Sequence, residues 1–279
     1  MVRSVLVTGA NSGVGLEVAL HLAELGFRVI GTARTEEKAT SLAKAADDAG
    51  VDVEVAVLDV TDADGCERLV GRLQPWGLVN NAAYMNVGQV LDVPAEDALR
   101  QFETLVVAPM RLATLAFPAM RHQGEGRIVN VSSVAAHATA AMTGWYQACK
   151  HALSAVTDAL RREVADYGID VVLIEPGGLD TGIWDKARDD LLRRRRRSAN
   201  RTAYDRSLWV LRSARPFMGH PRQAAEVIGQ ALTAGRPRAH YRVGADAPVI
   251  QFLEFVLPDR LKDRMARTAL GGPKRPSAG

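Results

Sequence analysis

Residues 5–26 read VLVTGANSGVGLEVALHLAELG: an apolar run, a turn holding Gly9, Gly13 and Gly15, and a stretch of helical period. Glycine lets a backbone turn tightly and lets another group approach the main chain, and a third glycine lets a helix pack closely on the strand before it. The start of such a helix offers unpaired N–H groups, which suit a phosphate. A glycine triplet alone is a weak signal; its place between a buried strand and a helix gives it meaning.

Outward from this turn, short β-branched runs alternate with longer stretches of helical period. SVLVTG (4–9) leads into 14–25, RVIGTA (28–33) into 36–49, VEVAVLDV (53–60) into 62–73, and GLVNNA (77–82) into 95–122. GRIVNVSS (126–133), a helix over 143–167 and IDVVLIEPGG (169–178) follow. The strands carry few polar residues, so the pattern predicts an α/β fold, a doubly wound parallel sheet with helices on both faces. The rhythm breaks over 181–219, which is rich in Arg, Trp and Leu. A helical stretch near 221–234, the strand-like AHYRVG (239–244) and an amphipathic segment come last.

With 279 residues, 47% of them apolar, the chain is long enough for one large domain with a full core. The opening MVRSVLVTG holds too short an apolar run for a signal peptide, and no later stretch reads as a membrane span, so a cytoplasmic protein is expected. Cys66 and Cys149, the two cysteines, offer neither a disulfide framework nor metal-ligand spacing, and no metal is expected. Formal charge is +3, with RRRRR at 193–197 and a basic end, KDRMARTALGGPKRP (262–276). No zinc-finger or RNP signature accompanies these charges, so nucleic acid is not an expected partner. Arg193 to Arg197 read as a solvated helix face; attraction to an acidic partner or a phosphate-bearing substrate is the sharper alternative.

After the second strand, a dinucleotide fold specific for NAD would place an acid against the ribose, whereas GTARTEEK puts Arg34 there. A guanidinium matches a phosphate bidentately, which favours the 2′-phosphate of NADP(H). Glu36 and Glu37 fall in the first turn of the next helix, where acids suit the dipole. In GWYQACKHALSA (144–155), Tyr146 and Lys150 are four apart and share a helix face. A tyrosine next to a lysine can serve as an acid, but by themselves the two read rather as a half-buried tyrosine beside a snorkelling lysine.

TGANSGVG (8–15), LDV (58–60), NNAA (80–83), NVSS (130–133), Tyr146 with Lys150, and PGGLDT (176–181) occur in this order. Over roughly 3–235 the chain resembles the short-chain dehydrogenases/reductases (SDRs), and most of all the branch of hydroxysteroid and retinol dehydrogenases with their bacterial relatives. The resemblance implies a single Rossmann-type domain: 1–180 as the dinucleotide-binding and catalytic core, 181–219 as a substrate lid, and 220–279 as a C-terminal helix, strand and tail. It implies Tyr146 as general acid/base, with Lys150 and the oxidised nicotinamide lowering its pKa from the ordinary value near ~10. Ser133 would orient the substrate oxygen, and Ser132 would be structural. For the cofactor it implies Gly9, Asn11, Ser12, Gly13, Val14 and Gly15 around the phosphates, Asp59 and Val60 at the adenine, and Asn81 and Ala82 along the adenosine. Pro176, Gly177, Leu179 and Thr181 would lie at the carboxamide end, with Tyr146 and Lys150 also touching the cofactor. Asp59 and Thr181 have plainer alternatives as helix caps.

One position departs from the family pattern. Where the SDRs carry a catalytic asparagine, FETLVVAP (102–109) has Leu105, which keeps a carbonyl and loses the polar side chain. Pro109 removes a helical N–H and can maintain a bend by itself. The resulting expectation is an NADP(H)-dependent ketone/alcohol oxidoreductase acting on a bulky lipophilic small molecule as a homodimer or homotetramer. Its alternatives are an isomerase, epimerase, dehydratase or cyclase without net redox change, and a cofactor-binding regulator. Trp184, Trp209 and Phe217 in the 181–219 stretch are the expected substrate contacts.

Overall fold

The computed structural model describes residues 2–244, 252, 254 and 256–270. Among them, β1 Ser4–Val7, β2 Arg28–Ala33, β3 Val53–Val57, β4 Gly77–Asn80, β5 Gly126–Val131, β6 Ile169–Pro176 and β7 His240–Val243 form one sheet. Its order is β3-β2-β1-β4-β5-β6-β7, and every pairing is parallel. The outer part of the basic C-terminal segment lies outside the described residues.

Period-two alternation sends the strands' side chains into two cores. Val5, Val7, Val29, Val79, Val129, Val172 and Ile174 join one, closed by α1 Gly13–Glu24, α2 Glu36–Ala49 and α9 Arg222–Thr233. Leu6, Ile30, Leu78, Ile128 and Val171 join the other, closed by α3 Ala63–Leu73, α5 Ala108–Gln123 and the end of α6 Gly144–Glu163. Each fully buried aliphatic side chain contributes about 1.5–3 kcal/mol. The winding runs from β1 outward to β3, then returns to set β4 on the other side of β1. That reversal opens a crevice at the carboxyl ends of the strands, where such sheets bind ligands.

Three regions differ from the sequence reading. The long helix of 95–122 is composite: α4 Ala95–Phe102, a π-helical turn over Glu103–Val107, then α5. The stretch Ala95–Gln123 is, by length and composition, apolar enough to cross a bilayer, contrary to the expectation that no such stretch exists. Here Leu112, Ala113, Ala116 and Met120 are buried against the sheet.

The irregular stretch of 181–219 is also helical, forming α7 Ile183–Arg195 and α8 Arg201–Ala214 with a 3-10 turn at Arg215–Phe217. Asn200 caps α8 by accepting a hydrogen bond from the Ala203 amide. Arginine is a good helix former, and its dense polar pattern hid the amphipathic period. Nor is the arginine run wholly solvated, because Arg194 is only 6% exposed. Finally, the terminal amphipathic segment forms α10 Asp259–Leu270, which packs on α8.

Candidate active site

The glycine turn follows β1 and is held from behind by polar side chains. The Thr8 hydroxyl accepts from the amides of Asn81 and Ala82, both at 3.0 Å. Asn81 Nδ2 donates to the carbonyls of Thr8 (2.9 Å) and Gly9 (3.2 Å), so this side chain braces the turn while its backbone edges the crevice. Gly9 has φ +64°, and a Cβ there would lie 2.9 Å from Ala82 Cα. At Gly15 a Cβ would fall 2.3 Å from the Gly9 carbonyl oxygen, so α1 can approach this closely only without a side chain. Asn11, Ser12, Gly13 and Val14 make the rest of the turn. Ser12 is the N-cap residue of α1, yet its side chain makes no capping bond, and no acid occupies the first turn. Thr181 stands over this turn, its side chain 3.1 Å from where a Gly13 Cβ would be.

Arg34 is exposed at the end of β2. Two further cations share its neighbourhood that the sequence reading did not single out: Lys38 on α2 and Lys186 on α7. Burial, then the charges of Lys38 and Arg34, push the Lys186 ammonium below its ordinary value. No sequence spacing links 186 to 34; only the folding of α7 over the crevice brings them together. Asp59 makes a local turn, accepting from the Thr61 amide (3.0 Å) and hydroxyl (2.8 Å), while Asp62 caps α3. Val60 is buried, and its carbonyl accepts from Arg111.

Ser133 lies just past the end of β5 and opens a 3-10 turn, Val134–Ala136, whose Ala135 amide donates to Ser133 Oγ at 3.1 Å. The Ser133 hydroxyl lies 3.4 Å from the Pro176 carbonyl oxygen and near enough to the Tyr146 phenol to lower its pKa against burial. Lys150, one turn along α6 and only 2% exposed, donates to the Val131 carbonyl at 2.8 Å. Its Nζ is 5.7 Å from the Tyr146 ring centroid. Burial pushes the Tyr146 phenol up to about 12, against the lowering effect of Ser133, and pushes Lys150 down to about 8. A phenol lowered by Lys150 was expected; here burial dominates, and the lysine is turned to a carbonyl rather than to the phenol. Ser132 bonds Ser154 and the Lys150 carbonyl, a structural placement.

Leu105 is buried with Val106 and Cys149, against Tyr146, Tyr84 and Phe102. It lies inside the π-helical turn, and its carbonyl has no α-helical partner four residues on because residue 109 is proline. The local distortion of this helix therefore persists without a polar side chain at 105. Behind it, Asn80 Nδ2 donates to the Pro109 carbonyl (3.2 Å) and to Asn130 Oδ1 (2.8 Å), and Asn130 Nδ2 donates to Thr157 Oγ1 (2.8 Å). This buried thread ties α5 to α6 through the sheet.

Above Tyr146 sits an apolar cage of Met85, Val87, Met142, Ile183, Trp184, Leu208 and Leu211. Met142 has φ +74°, a left-handed conformation rare for a side-chain-bearing residue, and its carbonyl accepts from the Gly88 amide at 2.8 Å. Trp184 donates to the Leu179 carbonyl at 2.7 Å. Trp209 and Phe217, by contrast, face outward at 61% and 89% exposure and do not meet Tyr146. Hydrophobicity marked all three aromatics, but only the helical phase of α7 and α8 decides which turn inward.

The cap made by α7 and α8 is clamped at both ends. At its stem a parallel bridge pairs Leu179 with Gly219, while Asp180 N and Gly219 N donate to the Gly219 and Gly178 carbonyls, each at 2.9 Å. Arg215 adds ion pairs to Asp180 and Asp185. At its tip Arg194 donates to the Val87 carbonyl (2.6 Å), Asn86 Oδ1 and Asp97 Oδ2 (3.0 Å). Tyr204 donates to Asp92 Oδ2 at 2.7 Å and accepts from the Gln89 amide.

The family model described as short chain dehydrogenase matches residues 3–192. An NADPH-dependent 3-dehydrocapnine reductase of Ornithobacterium rhinotracheale is 30% identical over 278 residues, covering 94% of this chain and 95% of the relative. The 17-beta-hydroxysteroid dehydrogenase type 6 of Rattus norvegicus is 29% identical, covering 94% and 86%. Among solved structures, a variant actinorhodin polyketide ketoreductase with NADPH superposes with a TM-score of 0.74 at 27% identity, covering 88% of this chain and 97% of that one.

Proposed function

Because this chain belongs to the short-chain dehydrogenase family, we propose that it is an NADP(H)-dependent oxidoreductase interconverting a ketone and a secondary alcohol on a bulky lipophilic molecule. The observation that carries the reading is the placement of the Ser133 hydroxyl beside the Tyr146 phenol, with Lys150 one turn away, at the floor of an apolar cage. A mostly apolar pocket with a few placed polar groups is the usual form of a small-molecule site. The names of the steroid and polyketide enzymes among the comparisons support a bulky substrate.

The residues fit the cofactor. Gly9 and Gly15 give the turn a shape that a Cβ would break by colliding with Ala82 and the Gly9 carbonyl, the start of α1 is uncapped by Ser12, and Arg34, Lys38 and Lys186 gather positive charge where a 2′-phosphate would sit. When bound, NADP(H) supplies or accepts the hydride. Tyr146 gives its phenolic proton to the ketone oxygen as the carbonyl carbon is reduced, and Ser133 donates a hydrogen bond to the same oxygen. A phenol held at about 12 stays protonated through the neutral range, which suits an acid for reduction. Lys150, buried against the Val131 carbonyl, keeps a positive charge within the site at neutral pH and favours the phenolate left behind.

The protein is proposed to act in the cytoplasm as one domain, assembled as a homodimer or homotetramer; exposed Leu99 and Val107 on the composite helix support such an interface. The test is NADPH oxidation against a panel of small and bulky ketones, with Tyr146→Phe as control. Loss of a positioned acid is expected to lower turnover by ~10²–10⁴-fold while NADPH still binds. Turnover within about tenfold of wild type would remove Tyr146 from the role. Replacement of the polar side chain by Leu105 favours the second reading, a reaction without net redox change; product formation without NADPH consumption would establish it.

A further inference from the structure

A buried carboxylate that this chemistry does not use lies directly behind Ser133. Glu175, next to last in β6, has a side chain 1% exposed. Its Oε1 is 2.5 Å from His137 Nε2 and 3.6 Å from His240 Nδ1. Among the described residues its Oε2 has no hydrogen-bond partner, and Arg242 Nε stands 3.9 Å away. His240 Nε2 in turn meets Asp158 Oδ1 at 3.1 Å, and Asp158 also takes Arg161 at 3.0 Å. Acids and histidines alternate from α6 through β7 and β6 to the turn after Ser133. Nearby, Glu254, paired with Lys262, meets the Thr139 amide.

The last contact of this chain, His137 to Glu175, joins the two segments that hold the Ser133 hydroxyl. His137 closes the 3-10 turn that Ser133 opens, and Glu175 precedes Pro176, whose carbonyl faces Ser133 Oγ. A serine hydroxyl has one hydrogen, so donation to the Pro176 carbonyl competes with donation to a substrate oxygen. At 3.4 Å the resting bond is long and readily given up. The spacing of turn and strand sets that length, and the His137–Glu175 bond spans the same gap. A buried carboxylate with one hydrogen-bond donor holds that donor firmly, since losing it would leave the charge only the longer contacts to His240 and Arg242.

We infer that Glu175 and His137 are positioning residues: their bond keeps the Ser133 hydroxyl at the distance from which it turns to the substrate oxygen. The inference rests on the ketone/alcohol reading above.

The test compares His137→Ala, His137→Gln, Glu175→Gln and Tyr146→Phe in the full chain, with the ketone that the panel identifies. The measurements are kcat, KM, NADPH affinity and melting temperature. His137→Ala and Glu175→Gln are expected to lower kcat by about tenfold or more, since misplacement by an ångström costs up to ~10²-fold, with NADPH affinity within about twofold. His137→Gln keeps a donor and should recover most of kcat. A merely structural role would lower thermal stability and leave kcat unmoved. Should Glu175→Gln fail to fold, the two His137 variants decide, because that ring is partly exposed. Wild-type kcat in His137→Ala overturns the inference alone if Tyr146→Phe is inactive. An active Tyr146→Phe overturns both readings.

Discussion

Arg194→Leu is the sharpest probe of how the cap is held. The guanidinium is 6% exposed and bonds the Val87 carbonyl, Asn86 Oδ1 and Asp97 Oδ2, with Asp190 Oδ2 at 3.5 Å. Leucine fills part of the volume and leaves the carbonyl and the amide unpaired. Breaking a buried ion pair costs about 3–5 kcal/mol. Asp97 is partly solvated and Asp190 keeps Arg193 at 2.6 Å, so the lower end applies. About 3 kcal/mol is a little over 10²-fold in an opening equilibrium, at about 1.4 kcal/mol per tenfold. Hydrogen exchange read by mass spectrometry should therefore show α7 and the tip of α8 exchanging roughly 10²-fold faster, with α1 and α9 unchanged. Unchanged exchange in α7, or equal acceleration in α1, would refute the clamp.

Other outcomes follow from the site. Arg34→Asp is expected to weaken NADPH by about 10- to 100-fold and to improve NADH, and Lys186→Ala to weaken NADPH with NADH unmoved, because a hydrogen bond to a charged group is worth about 1.5–3 kcal/mol; titration calorimetry with both cofactors checks this. Lys150 titrates at about 8 when folded against 10.5 ordinarily, so in that window the unfolded chain binds the extra proton. Its contribution to stability is complete above 10.5 and is lost as pH falls through about 8, whereas Tyr146, raised from 10 to about 12, keeps its full contribution below pH 10 and loses it as pH rises through about 12. Thermal melts of wild type and Lys150→Met should accordingly converge as pH rises from 8 to 10.5. Trp184→Ala should raise KM for a bulky ketone by about tenfold with NADPH affinity unchanged, the pattern of lost uniform binding. The mass in solution at micromolar concentration should be that of a dimer or tetramer.

The sheet was legible because its strands are apolar on both faces, and runs such as RVIGTA and IDVVLIEP admit little else. The glycine turn was legible because φ +64° at Gly9 and the crowding at Gly15 leave a compositional mark. Helical period placed Tyr146 and Lys150 on one face, and strand ends brought Ser133 beside them. The direction of the Tyr146 pKa was not legible, since it depends on burial under a cap whose arginines resemble solvated surface. Arg194 shows the limit: its burial comes from Asn86, Val87 and Asp97, about a hundred positions away. Lys186 beside Arg34, and Glu175 between His137 and His240, likewise exist only through the path of α7 and the β6–β7 register. The π-helical turn had a trace in Pro109, which pointed to distortion without saying which kind.

The stem at Leu179 and Gly219 has a consequence for how such a protein diversifies. Because the chain leaves and re-enters the sheet scaffold at neighbouring points, the helices between them form an interchangeable module. Its length can change at small entropic cost, since loop closure grows only logarithmically with the residues enclosed. Transplanting residues 181–218 between relatives should move substrate preference with it while β1 to β7 keep their register, making the stem the natural seam for recombination.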